Sequence, residues 1–431
     1  LHSGTPSTCN ITIAKVVIIN MSKNHIKCLA EGTNLLMFDG SIKSIENINE
    51  TDLLMGVDSN PVNLVALSRE FGQLYEIKPI KGISCIFGEN HLLPLYFSKK
   101  HNKIRVGRYK FPHKTKKYNY GDFNDLNIEK LYQESNHVRH HAKIWKIGVE
   151  FHSQDTPIDP YILGLWLGDG HSKIAALTSM DQCIIDIWKE EGNKRGLKCS
   201  TYTQKNSKAL TLRFSDPTVK DNRKLDNNQI SEIKTKILLG IQSLSQISRD
   251  YNVGETLIGD IKAGKSFKSK HINDSDTRSL YIDLQKLNLI SNKHIPQIYK
   301  INDRESRLQL LAGLIDSDGT RNKDSNYLSY STKLYSLAED VAFLSRSLGF
   351  NCNINSVRKT CINTGAVGNY YNVGISGSTE IIPMKLERKL CIASDTRKKN
   401  INGVKDIILR SGFYYKFNSR TNILLEDFTV I

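Results

Sequence analysis

The chain has no Cys-x-x-Cys pair. Its eight cysteines stand singly at 9, 28, 85, 183, 199, 352, 361 and 391, which gives no support to a zinc ribbon or a dithiol redox motif. Scattered single thiols point to a reducing compartment, with most of them simply buried. No apolar run reaches the roughly 18 residues of a membrane span. The stretch from Ile11 to Met21 is apolar, but Lys15 interrupts it and its β-branched residues read as a strand. The first residue is Leu, so a signal peptide cannot be argued, and the expectation is a fragment or a processed product. Acidic residues are also in deficit: 44 Asp plus Glu face 60 Lys plus Arg, a net charge of +16. That excess favours a polyanionic partner, nucleic acid above all, through counterion release. The plainer alternative is a basic but inert surface. With 431 residues, 39% of them hydrophobic, there is material for two or three globular domains.

Against this background one stretch stands out. Leu311-Ala312-Gly313-Leu314-Ile315-Asp316-Ser317-Asp318-Gly319 reads as an apolar helix running into two carboxylates and a glycine. Small residues at Ala312 and Gly313 would let two helix backbones approach closely. Asp318 would sit at the helix C-terminus, where its charge opposes the dipole, an arrangement that calls for a cation. A second copy lies upstream, Ile162-Leu163-Gly164-Leu165-Trp166-Leu167-Gly168-Asp169-Gly170, with Asp169 falling on Asp318. Around each copy the order repeats: nonapeptide, strand-like stretch, helix, then a Gly-apolar-x-Cys turn at Gly196 to Cys199 and Gly349 to Cys352. Two such repeats imply a pseudo-twofold monomer suited to a two-stranded or near-palindromic target.

These residues resemble the LAGLIDADG homing endonucleases. The resemblance implies that the two nonapeptide helices pack together, that Asp169 and Asp318 bind divalent metal, Mg²⁺ by the hardness of the ligands, and that Gly168 and Ser317 belong to the metal sites with them. It also implies a curved four-stranded sheet along the DNA in each half. Asp316 faces Leu167 in the other copy, so its expected role is structural or polar. Each half also carries a basic residue near the metals. Lys293-His294-Ile295-Pro296 resembles the segment that precedes the second nonapeptide in this family, which makes Lys293 a candidate for positioning water or stabilising charge. Its partner is sought after the second repeat, at Lys398 or Lys399. For both, an ordinary surface lysine is the alternative.

A second resemblance begins at Cys28. Cys28-Leu29-Ala30 with Gly32-Thr33, the turn Phe38-Asp39-Gly40-Ser41-Ile42-Lys43, and Asn90-His91 are similar to the first half of an intein's Hint domain. Short strands are expected at 53–57, 62–68, 73–80 and 83–87, and Ser41 to Ile48 shows helical spacing of Ile42, Ile45 and Ile48. By that resemblance Cys28 attacks its own preceding peptide bond and His91 polarises it. The family usually has Thr three residues before this His; here Gly88 stands there, leaving a buried structural Cys and a satisfied His as the alternatives. Ser411 to Asn418, a turn at 419–422 and a last strand, Ile423 to Ile431, resemble the C-terminal half of the same module. There a His-Asn pair should follow Ile431, so splicing as the chain stands is not expected to go to completion.

Two further segments suggest DNA contact. Residues 97–148 are rich in basic and aromatic residues, among them Arg105, Arg108, Lys110, Lys114, Lys116 and Lys117, a texture suited to phosphate contact and stacking. His137, His140 and His141 have no partner spaced for metal. Residues 237–267 resemble a helix-turn-helix, with Ser245 to Tyr251 as first helix, Glu255 to Lys262 as recognition helix, and Lys262 and Lys265 near phosphates. A solvated loop and a capping helical hairpin are the alternatives.

The expected fold is thus α+β and all-β: a bipartite all-β Hint domain interrupted by a pseudo-twofold α/β endonuclease of two αββαββα-like repeats. The expected limits are an N-terminal flank over 1–27, the first Hint part over 28–155, the endonuclease over 156–400 and the second Hint part over 401–431. The expected partners are double-stranded DNA and the host flanks of a splicing element. The protein is expected to be a monomer, intracellular, in the nucleus or another DNA-containing compartment. Rival readings are a splicing element with an inactive nuclease, and a DNA-binding regulator built on the same sheets.

Overall fold

In a computed structural model of the chain, a single 19-residue strand, Ile401–Ser419, gathers segments hundreds of residues apart. The structure describes residues 25–80, 82–98, 118–203, 208–215, 225, 227–240, 242–264, 279–322, 324–360, 367–392 and 401–431. Ile401–Ser419 runs antiparallel to Val65–Pro79, from Val404↔Pro79 to Asn418↔Val65. At one end it pairs with His25–Ala30, with Cys28 opposite Lys416, and at the other with Ala142–Trp145. Register shifts after Val404 and Lys416 mark bulges, which bend so long a strand between its partners. The sheet order is His25–Ala30, Cys85–Gly88, Val65–Pro79, Ile401–Ser419, Ala142–Trp145, Leu92–Phe97, Phe123–Asn127. Because His25–Ala30 also pairs with Ile401–Ser419, the first four strands close on themselves and leave no free edge there. Alternate residues, including Leu29, Ile77, Phe87, Leu95, Ile144 and Phe417, fill the interior.

Three local expectations change. The strands expected at 62–68 and 73–80 are, apart from the short Pro61–Asn63, one strand, Val65–Pro79, kept continuous by pairing along its long partner. Ser41 to Ile48 is not one helix: Ile42–Ser44 is a strand and only Ile45–Asn47 makes a 3₁₀ turn. Nor is 423–431 one strand. It folds back on itself, with Ile423 and Ile431 exchanging backbone hydrogen bonds of 3.0 Å and Phe428 at φ 63° in the turn. The strand expected between Ile11 and Met21 lies outside the described residues.

Two compact units can be told apart: Leu1–Leu177 with Leu287–Ile431, and Thr178–Lys286. In the first, two helices, Pro160–Asp169 and Arg304–Asp318, start at Asp159 and Asp303, whose carboxylates accept backbone N–H groups of the first turn. Pro160 at the start of the first supplies a preset φ. Gly319–Arg321, Leu328–Thr332, Val367–Ser376 and Asn351–Thr360 follow in that spatial order as an antiparallel sheet, and helix Tyr335–Ser347 packs on it. A buried guanidinium ties this part to the barrel: Arg307 donates to Asn302 O, Ser347 Oγ and Val149 O at 2.6–2.8 Å. Phe343 of the helix meets Phe428 of the terminal hairpin with ring centres 5.3 Å apart.

In the second unit, helix Gln182–Lys194 stacks Trp188 on Phe214 of strand Leu210–Ser215. Three further helices, Asn227–Leu239, Leu244–Asp250 and Glu255–Lys262, enclose their own small core of Ile233, Ile247, Ile258 and Ile261. Ser243 and Gln246 form a reciprocal capping box, and Asn252 turns the chain at φ 49°, a conformation Asn tolerates.

Candidate functional site

The two nonapeptides are helices that touch backbone to backbone. A Cβ placed on Gly313 would lie 2.2 Å from Tyr161 O and 2.9 Å from Leu165 N; one on Gly164 would lie 2.3 Å from Leu310 O. Only glycine fits at this crossing, which is why each copy carries one at that place. The first helix is buried from Tyr161 to Leu167 and the second from Leu310 to Asp316, so the nonapeptide stretches read as apolar runs rather than stripes. The contact continues to their C-terminal ends, where a Cβ on Gly168 would collide with Ser317 Oγ and lie 3.3 Å from Asp318 N. Asp169 and Asp318, the last residues of the two helices, are therefore brought to one place.

Two lysines flank them. Lys293 Nζ donates to Leu167 O, Gly168 O and Gly170 O at 3.0, 3.0 and 2.7 Å. Lys389 Nζ donates to Ile315 O, Asp316 O and Ser317 O at 2.7, 2.7 and 3.0 Å. With Asp169 laid on Asp318, Leu167 and Gly168 fall on Asp316 and Ser317, so two of the three carbonyls that each ammonium occupies correspond; the third is Gly170 O for Lys293 and Ile315 O for Lys389. A cation on orphan carbonyls at a helix C-terminus offsets the dipole that would otherwise repel the adjacent Asp. Burial pulls Lys293 down to about 8, against the field of Asp318 and Asp169. Asp318 keeps surface open to solvent, yet desolvation by the protein around it raises its carboxyl above the usual range, opposed by Lys293, Lys389 and Lys359.

Lys389 was not among the expected residues. Lys398 and Lys399, the expected partners of Lys293, lie outside the described residues. Asp316 explains how Lys389 is held. Its carboxylate accepts from Tyr161 Oη at 2.8 Å, Lys385 N at 2.6 Å and Leu386 N at 3.4 Å. It thus pins the segment that carries Lys389.

The donor set fits a divalent cation by its chemistry. Two carboxylates at adjoining helix ends, one of them with its charge disfavoured by burial, are hard oxygen ligands. Among the described residues no three His, Cys, Asp or Glu side chains cluster to hold an ion. Further positions would fall to water, to a phosphate, or to the carbonyls of Gly168 and Ser317, each of which already accepts from a lysine and has a second lone pair.

The second candidate centre is at Cys28. Its thiol is fully buried, and burial pushes it up to about 12. The Cys28 backbone N donates to His91 Nδ1 at 3.0 Å. That fixes His91 as a neutral ring protonated at Nε2, and burial lowers its pKa well below normal, with Lys27 adding to the effect. Gly88, where the family usually has Thr, has no room for a side chain: a Cβ would lie 2.9 Å from Cys28 Cβ and 3.1 Å from the Tyr414 ring. Tyr414 occupies that space and donates to Glu70 at 2.8 Å.

Of the DNA-contact candidates, Lys262 is exposed at the end of helix Glu255–Lys262. Arg105, Arg108, Lys110, Lys114, Lys116, Lys117 and Lys265 lie outside the described residues. The expected first helix and recognition helix correspond to Leu244–Asp250 and Glu255–Lys262.

Comparison with known proteins bears on both centres. Residues 28–154 match the family described as homing endonuclease-associated Hint, and residues 294–384 match the homing endonuclease family. Asp169 falls between the two matches. The replicative DNA helicase DnaB of Mycobacterium intracellulare is 35% identical over 115 residues, 27% of this chain and 19% of the relative. The catalytic polypeptide of the V-type proton ATPase of Candida tropicalis is 23% identical over 402 residues, 80% of this chain. This chain spans 19% and 37% of those relatives' lengths. A crystal structure of I-DmoI with DNA and Mn is 15% identical, covering 51% of this chain and 89% of that one, with a TM-score of 0.25, too low to carry an argument.

Proposed function

We propose, from the premise that this chain joins a homing endonuclease-associated Hint segment to a homing-endonuclease segment, that it is a LAGLIDADG-type double-strand DNA endonuclease within a protein-splicing element. The observation that carries the nuclease reading is the pair of abutting helices, each ending in Asp and each with its lysine. Hydrolysis of both strands needs one acidic site per phosphodiester with the two close together, and the crossing at Gly164 and Gly313 supplies that closeness. Asp169 and Asp318 would hold divalent metal, Mg²⁺ by preference for hard oxygens. When bound, the metal activates water and stabilises the leaving oxygen. Lys293 and Lys389 hold positive charge beside the scissile phosphates and keep the helix ends in place. The net charge of +16 and the basic 97–148 stretch favour a DNA partner, and the Lys262 helix would extend the footprint. The splicing reading rests on Cys28 and His91, since the ring that accepts the Cys28 N–H is placed to return a proton to that nitrogen as the peptide bond breaks. The protein would act as a monomer inside a DNA-containing compartment. Incubation with a randomised duplex library and Mg²⁺ tests the nuclease: breaks in both strands at a selected sequence, stopped by chelation, are expected, and binding without breaks refutes it.

A further inference from the structure

Lys27 is not used by either centre, yet it is fully buried and it immediately precedes the nucleophile. In a splicing element that position belongs to the host flank. Strand alternation sends Cys28 and Ala30 to one face, against Leu74 and Tyr414, and Lys27 and Leu29 to the other. There the Lys27 ammonium donates to Asn422 Oδ1 at 3.0 Å, within the field of Asp125 and close enough to act on His91. Asn422 is itself mostly buried, and its backbone carbonyl accepts from Val57 N at 3.3 Å, which holds the residue in place. A buried Lys without a built acceptor would be expelled, so the acceptor, in the segment after Ile401–Ser419, is a made place for this side chain.

We propose that Asn422 forms a specificity subsite for the residue preceding the scissile bond, accepting a long side chain that ends in a hydrogen-bond donor. This rests on the splicing reading above. By holding Lys27 through its tip, Asn422 sets the Lys27 carbonyl relative to Cys28 Sγ and His91, and so acts as a positioning residue. In the step concerned, Cys28 Sγ bonds to the Lys27 carbonyl carbon and the Lys27–Cys28 C–N bond breaks. The thiol proton ends on the freed Cys28 nitrogen. Added dithiothreitol then exchanges onto the same carbon, restores the Cys28 thiol and releases residues 1–27 as a thioester.

The test is the rate of release of that fragment by mass spectrometry, using the full chain as wild type, Lys27→Met, Asn422→Leu and the double variant, with the thermal midpoint read on the same samples. Each single variant should slow release at least tenfold when assayed well below its own midpoint, a loss larger than any fall in that midpoint accounts for. The double variant, which removes both polar partners, should be faster than either single. Release at the native rate from Lys27→Met and Asn422→Leu overturns the subsite alone. So does a double variant no faster than the singles, or a midpoint that falls in step with the rate. No fragment from the native chain overturns the splicing reading and the subsite with it.

Discussion

Replacing Gly313 by Ala adds one methyl group at the point where the two helices touch. Its carbon would lie 2.2 Å from Tyr161 O and 2.9 Å from Leu165 N, both backbone atoms that no rotamer change can move. Restoring an ordinary contact of about 3.4 Å would force the helices apart by roughly 1 Å, and such a gap forfeits a quarter to a half of the dispersion well for every atom along the seam. Overpacking usually costs about 1–3 kcal/mol; with both clashing atoms in main chain, a loss of about 3 kcal/mol or more is expected. Gly164→Ala should cost a similar amount, since its Cβ would meet Leu310 O at 2.3 Å. Because one separation relieves both, the double variant should lose clearly less than the sum. Gly259→Ala is the control: it lies in helix Glu255–Lys262 with nothing within 4 Å of its Cβ, and should gain about 0.5–1 kcal/mol. Urea unfolding at constant m-value reads all four. A Gly313→Ala variant within about 0.5 kcal/mol of wild type would refute the backbone contact.

Lys389→Met should reduce metal-dependent cutting about a hundredfold, the scale of losing one positioned charge; single-turnover cleavage checks it, and an unchanged rate removes Lys389 from the centre. Asp427→Asn tests the buried pair that joins the terminal hairpin to the barrel. Burial works to raise the Asp427 carboxyl, but Lys146, with Thr429 and Arg346, outweighs it and the carboxyl sits below its usual range. A depressed carboxylate contributes stability above its unfolded value and loses it as pH falls through the folded one. The variant should therefore be less stable by about 3–5 kcal/mol at neutral pH, with the difference narrowing below about pH 4. A gap that persists unchanged to pH 2 contradicts the pairing.

The features readable from the sequence were those with a local signature. The two nonapeptides, Lys293, Cys28 and His91 could be named because each sits in a short pattern of fixed spacing, and helices of the kind seen at Gln182–Lys194 and Tyr335–Ser347 show as periodicity. What escaped depended on contacts distant in the chain. Nothing local to Lys389 says that it reaches the carbonyls of Ile315 to Ser317, and Asp316, seventy positions from Leu386, helps to place it there. The single 15-residue strand Val65–Pro79 looked like two because its middle is polar; its partner, more than 300 residues on, keeps it continuous. The fold-back at 423–431 turns on Phe428 at positive φ, which no propensity foretells.

The central claim is that Asp169 and Asp318 form one cutting centre with two strands to cut. It is tested most directly by incubating Asp169→Asn and Asp318→Asn with the selected duplex and Mg²⁺, beside the wild type, and resolving each DNA strand separately. The account predicts double-strand breaks by the wild type and none by either variant, with duplex binding retained in both. Double-strand cutting that survives in either variant would contradict it.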